Sequence, residues 1–147
     1  MKKYVIAILL LVMFFLNGIC QAAVHSTQEN FNIALKQCIS ALNDTEDYYE
    51  VMKRGDDAVI YLRQKDCELL EESLGHFKAD GAESLTLLLE TKLILQGRGL
   101  SLEYYLSAMD AYRAGRIALY EEYRRRLEKS FKEAEIDRKK FRAKYGY

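Results

Sequence analysis

The chain has 147 residues, half of them hydrophobic, with 22 basic and 22 acidic residues, three cysteines and no proline or tryptophan. This length allows one ordinary domain, and the lack of a Ser- or Gly-rich linker or an internal repeat excludes a multidomain or repeat architecture. The absence of proline favours long uninterrupted helices.

Residues 1–22 have the layout of a secretory signal peptide. Lys2 and Lys3 form a short positive region, residues 4–16 are almost wholly apolar, and small residues follow. The apolar run is shorter than the about 20 residues of a typical membrane span, although an uncleaved anchor is an alternative. We expect cleavage after Ala22, which leaves a single α-helical domain over 23–147.

Cys20 lies just beyond the apolar run, where a bacterial lipoprotein carries its lipid. The residue before a lipidated cysteine must be small, and Ile19 is large and branched. Cleavage after Ala22 instead places Cys20 and Ala22 at the two positions that must be small. We therefore expect Cys20 to leave with the signal, with a lipoprotein as the alternative. The Lys-Lys start looks bacterial, so we expect export to the periplasm or the cell exterior.

The mature chain shows the apolar spacing of successive helices. A first helix is predicted by apolar residues that recur at i, i+3, i+4 and i+7 from Phe31 to Leu42. Gly55 and Asp56 suit the end of a second helix and the start of a third. A fourth helix, "SLTLLLETKLIL", is apolar on most sides, so we expect it to form the buried centre, with "QGRG" ending it. No strand-like alternation appears.

A long C-terminal helix is predicted over about 101–145. Nothing after Ser101 breaks a helix before Gly146, apart from a tolerable Gly115. The predicted fold class is therefore all-α, a small bundle of about five helices. A helix of this length is about 65–70 Å long, more than twice the about 30 Å of a small domain. We expect its last part to overhang. The alternatives are a bend back at Gly115, a coiled coil with another copy, and a solvated tail.

Apolar residues, with arginine in place of two of them, recur along this predicted helix in steps of four, three and four residues. This spacing keeps them in one stripe on one face of the helix. An exposed stripe that bears tyrosine and arginine is typical of interaction surfaces. We expect it to contact a protein partner or a second copy of the chain. The predicted contact residues are Tyr120, Tyr123, Leu127, Phe131, Phe141 and Tyr145.

The charges are unevenly distributed along the mature chain. Residues 23–110 carry 16 acidic and 8 basic residues, whereas residues 111–147 carry 6 acidic and 12 basic ones. A basic helix packed on an acidic bundle explains this most simply, and a surface for an acidic partner is the alternative. The acidic residues interleaved in the basic segment, together with export, argue against nucleic acid.

Cys38 and Cys67 are the two cysteines of the mature chain, each on the apolar face of its own predicted helix. Because an exported chain meets an oxidising compartment, we expect them to form one disulfide. Two buried free thiols are the alternative. The spacing does not fit a metal site.

The sequence offers no catalytic constellation. Of the two histidines, His25 lies beside the new N-terminus and His76 follows a helix end, and no hydrolase, zinc-protease or phosphate-loop motif is present. Neighbouring carboxylates such as Glu71 and Glu72 can cleave sugars, but they fall on polar helix faces. We expect no catalytic or metal-binding residue, no cofactor and no small-molecule substrate.

These observations favour a small exported non-catalytic protein that acts through protein–protein contact. It could be an immunity or inhibitor protein, or an accessory part of an envelope machine. The first alternative is a peripheral membrane protein that uses its basic, aromatic C-terminal helix. The second is a hydrolase that uses clustered carboxylates.

Overall fold

The computed structural model describes residues 27–147, and this part of the chain is helical with no strand. The predicted all-α class is confirmed. Four helices have both ends in the described part, and a further helical stretch, α1, covers 27–44 at its edge. The others are α2 (Tyr48–Arg54), α3 (Asp57–Gly75), α4 (Ala82–Arg113) and α5 (Ile117–Tyr145). The predicted signal peptide, with Cys20, lies outside the described residues.

Helix α2 ends and α3 begins where the sequence predicted, at Gly55 and Asp56. Gly55 adopts a left-handed conformation with φ of 70°, and its N–H donates to the Met52 carbonyl at 3.1 Å. Asp56 then caps α3, because its side chain accepts from the backbone N–H groups of Ala58 and Val59. Both predictions at this boundary are confirmed.

The predicted long helix over 101–145 is wrong, because the chain reverses direction at Gly115. Gly115 has a φ of 69°, which glycine adopts without strain. Its N–H donates to the Tyr112 carbonyl at 3.0 Å, and the Arg116 N–H donates to the Ala111 carbonyl at 2.9 Å. These two bonds form a Schellman motif, which closes α4 and satisfies its last carbonyls. The bend-back alternative therefore holds, and α5 does not overhang.

The glycines of "QGRG" do not end the fourth helix, as the sequence suggested, but lie inside α4. A Cβ atom placed on Gly97 would lie 2.9 Å from the Ala134 Cβ of α5, closer than such atoms approach in proteins. A Cβ on Gly99 would lie 3.5 Å from the Cys67 Cβ of α3, an ordinary contact. Gly97 is therefore the residue that lets α4 and α5 approach closely.

Helix α4 lies at the centre of the bundle, with α3 and α5 packed along it. Two groups of buried side chains form the core, one between α1, α3, α4 and α5 and the other between α2, α3 and α4. The larger members of the first are Leu42, Leu74, Leu87, Leu88, Ile94, Leu95 and Phe141. Those of the second are Tyr48, Val51, Met52, Ile60 and Leu102. None of the described helices is long and apolar enough to cross a membrane.

The basic helix α5 packs on acidic residues of the bundle. Lys144 forms an ion pair with Glu90 of α4 at 2.8 Å, and Arg138 pairs with Glu46, in the turn before α2, at 3.3 Å. The Tyr145 hydroxyl also donates to Glu90 at 2.8 Å. These contacts support the simpler explanation of the uneven charge.

We predict that Gly97→Ala destabilises the protein although alanine is the better helix former. The new methyl group would overpack the contact with Ala134, and overpacking costs about 1–3 kcal/mol of unfolding free energy. Gly99→Ala is the matched control, because its methyl group makes an ordinary contact. It should be neutral or stabilise by up to about 1 kcal/mol. Denaturant unfolding at one protein concentration measures both.

Adding Ala134→Gly to Gly97→Ala should recover part of the lost stability, because it removes the clashing methyl group. Equal effects of the two single alanine variants would contradict the close contact.

Candidate contact surfaces

The predicted contact stripe of α5 faces the bundle, not the solvent. Phe141 is 2% exposed within the first core group, and Tyr145 packs against that group. Leu127 and Phe131 pack against the second group, and the Phe131 ring lies tilted against the Tyr49 ring with their centres 5.0 Å apart. The premise that the bundle is too small to cover this stripe is therefore wrong, because the reversal at Gly115 lays α5 along α4.

Tyr120 and Tyr123, the other two predicted contact residues, are half-buried near the α4–α5 turn. The Tyr120 ring lies 5.5 Å from that of Tyr112, and the Tyr123 ring lies 6.5 Å from that of Tyr104. Both partners belong to α4. These rings therefore help to join the two helices, and only their outer parts meet solvent.

An exposed apolar stripe instead runs along α4, where the sequence predicted a helix buried on most sides. The inward residues of this helix are buried as expected. Four leucines point away from the core and are half-exposed, namely Leu85 (50%), Leu89 (52%), Leu93 (55%) and Leu100 (42%). We call these four the leucine stripe. Apolar residues gathered in one patch of a folded surface indicate a contact site more strongly than scattered ones.

The leucine stripe lies between the two helices that pack beside α4. On one side, Gln96 donates to Glu71 of α3 at 2.5 Å and Gly99 contacts Cys67. On the other side, Gly97 contacts Ala134 of α5, and the hydroxyls of Ser101 and Ser130 lie 3.0 Å apart. Helices α3, α4 and α5 therefore form a layer whose outer face carries the stripe along its middle.

The two flanks of the leucine stripe differ in charge. Helix α3 carries five acidic and two basic residues, whereas α5 carries ten basic and six acidic ones. A shallow groove of about 280 Å³ separates α3 from α4, and Leu100 forms part of its wall. Glu68, Glu71 and Glu103 also line this groove. The stripe thus lies between a helix with a net acidic charge and a helix with a net basic charge.

A second cavity, of about 500 Å³, opens at the end of the bundle where α4 begins and α5 ends. Its lining is mixed: Phe31, Ala82, Glu83, Thr86, Lys144 and Tyr145. Lys144 and Tyr145 both bind Glu90, and the Thr86 hydroxyl donates to the Ala82 carbonyl at 2.8 Å. These polar groups stabilise the fold, and they do not form a nucleophile with its base.

Arg98 is a buried cation inside the bundle. It is 1% exposed, and its Nη1 donates to the Leu42 carbonyl at 2.6 Å and to the Thr45 hydroxyl at 2.7 Å. The Leu42 carbonyl lies in the last turn of α1, where the helix dipole favours a positive charge. The guanidinium also lies 5.3 Å from the centre of the Tyr48 ring. Arg98 therefore joins α4 to the end of α1.

Burial shifts the pKa values of both Arg98 and Tyr48. It lowers the pKa of Arg98, and it raises that of Tyr48 with help from the nearby Glu135 carboxylate. The Tyr48 hydroxyl stays protonated and donates to Glu135 at 3.2 Å. The arrangement therefore holds α1, α2, α4 and α5 together without a reactive group.

Cys38 and Cys67 are free thiols, so the predicted disulfide is wrong. Cys38 lies beside Thr91 and Cys67 beside Gly99. These two α4 residues are eight positions apart, which is about 12 Å along the helix. A disulfide needs Cα atoms about 4.4–6.8 Å apart. Burial raises the pKa of both thiols, that of Cys67 to about 12, so they are poor nucleophiles.

Several carboxylates that have acidic neighbours in the sequence bind other residues, and Glu71 accepts a hydrogen bond from Gln96 at 2.5 Å. Asp57 binds Arg113 of α4, which holds the pKa of that carboxyl below its usual range. Asp47 binds Arg63 at 3.0 Å. Within residues 27–147, no group of three or more His, Cys, Asp or Glu side chains is arranged to hold a metal ion.

Comparisons of this chain with protein-family models, with curated proteins and with solved structures find no match. Its function must therefore be inferred from its own surfaces.

We predict that Phe141→Ala destabilises the protein strongly. The side chain is buried in the core, and Phe→Ala at such sites costs about 3–5 kcal/mol of unfolding free energy. Ile136→Ala is the matched control on the same helix, because Ile136 is exposed. It should change the free energy by about 0.5 kcal/mol or less. Thermal or denaturant unfolding compares them, and similar losses would contradict an inward-facing stripe.

We predict that Cys38 and Cys67 react with an alkylating reagent only after unfolding, and without prior reduction. In the native protein the two side chains are buried, which protects them. In denaturant without reductant, each should carry one label by mass spectrometry of its peptide. Unlabelled Cys38 and Cys67 under those conditions would establish the disulfide that the structure lacks.

Proposed function

We propose that this chain is a small exported α-helical protein that acts without catalysis, by binding a protein. The observation that carries the proposal is the leucine stripe of α4. Its four leucines lie together on the face opposite the core, and burying them against a partner would stabilise a complex. The acidic and basic flanks would fix the orientation of that partner more than its affinity.

We infer that the protein itself is exported because residues 1–22 have the layout of a secretory signal peptide that is cleaved after Ala22. An oxidising compartment favours disulfides, so the two free thiols add no support for export, but they are compatible with it. Cys38 and Cys67 lie in different parts of the core, so neither reaches the other in an oxidising compartment. We therefore place the protein in the bacterial periplasm or outside the cell.

Two biological roles fit a contact protein of this kind. One is an immunity or inhibitor protein, which covers the active surface of another protein. The other is an accessory part of an envelope machine. The neighbouring genes distinguish them, because a toxin gene alongside supports the first and a secretion cluster supports the second.

The membrane-surface alternative depended on an aromatic and basic C-terminal helix. The aromatic residues Phe131, Phe141 and Tyr145 of α5 pack inward, which leaves Ile117 and Ile136 as its large exposed apolar residues. An interfacial helix needs a wider apolar face than this. The hydrolase alternative also loses support, because Glu71 accepts a hydrogen bond from Gln96 and other neighbouring carboxylates cap α3 or bind arginines.

The proposal is tested by placing a photo-crosslinking amino acid at Leu93 in cells that naturally make the protein. Leu93 lies in the middle of the leucine stripe, so its crosslinker would reach the bound partner. We expect one discrete adduct, which mass spectrometry of the purified band identifies.

The matched control places the same crosslinker at Leu69 of α3. Leu69 is more exposed than the stripe residues but lies outside the stripe. We expect no discrete adduct there. If Leu93 gives no adduct, or if both positions give the same one, the leucine stripe is not the contact site.

A further inference from the structure

We propose that the partner of the leucine stripe is a second copy of this chain, and that the two α4 helices run parallel across a two-fold axis. This inference rests on the proposed function, because it names the partner of the same surface. It is argued from the charges on the two flanks and from the area of the face.

The face is divided into three strips of different character. The middle strip is the leucine stripe on α4. Helix α3 beside it has three more acidic than basic residues, and α5 on the other side has four more basic than acidic residues. A surface with opposite charges on its two flanks can be complementary to itself.

The direction of pairing decides which flanks meet. When two such faces pack with their α4 helices parallel, the two-fold axis runs along α4 and exchanges left and right. Helix α3 of one copy then lies opposite α5 of the other, acidic against basic. When the α4 helices are antiparallel, α3 meets α3 and α5 meets α5, so like charges oppose each other. Charge therefore selects the parallel arrangement.

The area of the face suffices for a stable dimer. Helix α4 has 32 residues, which gives a length of about 48 Å. With about 9 Å between packed helices, the α3–α4–α5 layer is about 20 Å wide. Helices α3 and α5 are shorter, with 19 and 29 residues, so the face is on the order of 800 Å². Specific interfaces bury about 800 Å² on each partner.

The first experiment measures the mass of the protein in solution, purified as the cell exports it, by light scattering and sedimentation equilibrium. We expect twice the mass of one chain. The double variant Leu89→Glu/Leu93→Glu places four carboxylates at the interface of a dimer. We therefore expect a monomer, or a dimer whose Kd is higher by about tenfold or more. Circular dichroism verifies that this variant stays helical, as expected because both side chains point to solvent.

The matched control is Leu62→Glu/Leu69→Glu on α3. These leucines are 62% exposed, more than the stripe residues, but they lie outside the stripe. We expect this variant to remain a dimer. A parent protein that is monomeric at the highest concentration it tolerates would overturn the proposal. So would a control that dissociates as readily as the stripe variant.

The second experiment determines the direction of pairing by cysteine crosslinking, and it does not depend on the folding of a charged variant. Leu85→Cys and Leu100→Cys are made separately and treated with a short bismaleimide. In the parallel dimer each residue lies near its own copy, so each variant crosslinks with itself. In an antiparallel dimer, Leu85 lies near Leu100 of the other copy, so crosslinking needs a mixture of both variants. Position 85 is about 22 Å from position 100 along α4, which keeps the outcomes distinct.

Salt gives an independent readout of the same arrangement. Opposite charges face each other in the parallel dimer, so raising NaCl from about 50 mM to about 500 mM should raise the Kd. A Kd that falls with salt would mean that like charges meet, which contradicts parallel pairing.

The failure of this inference differs from the failure of the proposed function. If the protein is monomeric and the Leu93 crosslinker captures a different protein, the partner is not a second copy, but the proposed contact function stands. A monomer whose Leu93 crosslinker captures nothing overturns both.

Discussion

The arrangement of the bundle depends on the close contact between α4 and α5. The chain can make this contact because Gly115 reverses its direction and because Gly97 lacks a side chain where Ala134 approaches. Once α5 lies along α4, its apolar stripe is covered and its basic residues reach carboxylates such as Glu90. The same packing occupies one side of α4. Helix α3 lies on the other side and the core lies beneath, so within residues 27–147 the leucine stripe of α4 is left uncovered.

The inner side of α4 carries a different kind of constraint. Arg98 uses one guanidinium nitrogen to bind the end of α1, and its Nε and Nη2 have no hydrogen-bond partner among the described residues. A buried cation of this kind contributes less to stability than to fixing one arrangement of helices, because any shift of α1 would leave its charge without a carbonyl. Arg98 thus fixes how α1 meets α4, while Gly97 fixes how α5 meets it.

Much of the fold was predictable because the capping residues and the apolar spacing in the sequence match the helix ends and the buried helix faces of the structure. The all-helical class and the boundary at Gly55 and Asp56 follow from apolar spacing and from capping chemistry. Gly115 was harder, since glycine inside an apolar pattern reads equally as a tolerated residue or as a turn. The stabilising bonds from Gly115 and Arg116 back to α4 depend on backbone geometry, which the sequence does not display.

The exposed leucine stripe was missed for a related reason. Helix α4 is so rich in leucine that it looks buried on most sides, although Leu85, Leu89 and Leu93 follow i, i+4, i+8 spacing on one face. Only the positions of α3 and α5 reveal that no helix within residues 27–147 covers this face. The prediction of a disulfide was wrong because the two cysteines lie too far apart. The sequence shows that Cys38 and Cys67 both face inward, but it does not show at which position along α4 each one packs.

The reversal at Gly115 is tested most directly by one distance, measured between spin labels at Glu83→Cys and Ala143→Cys. Both positions are exposed, near the start of α4 and the end of α5, and the labelled protein is diluted with unlabelled chain so that only distances within one copy count. We predict a separation of about 20–30 Å, because packed helices lie about 10 Å apart and each label adds its own length. A separation near 90 Å, which 60 residues of one continuous helix would span at 1.5 Å each, would contradict the hairpin and return the α5 stripe to the surface.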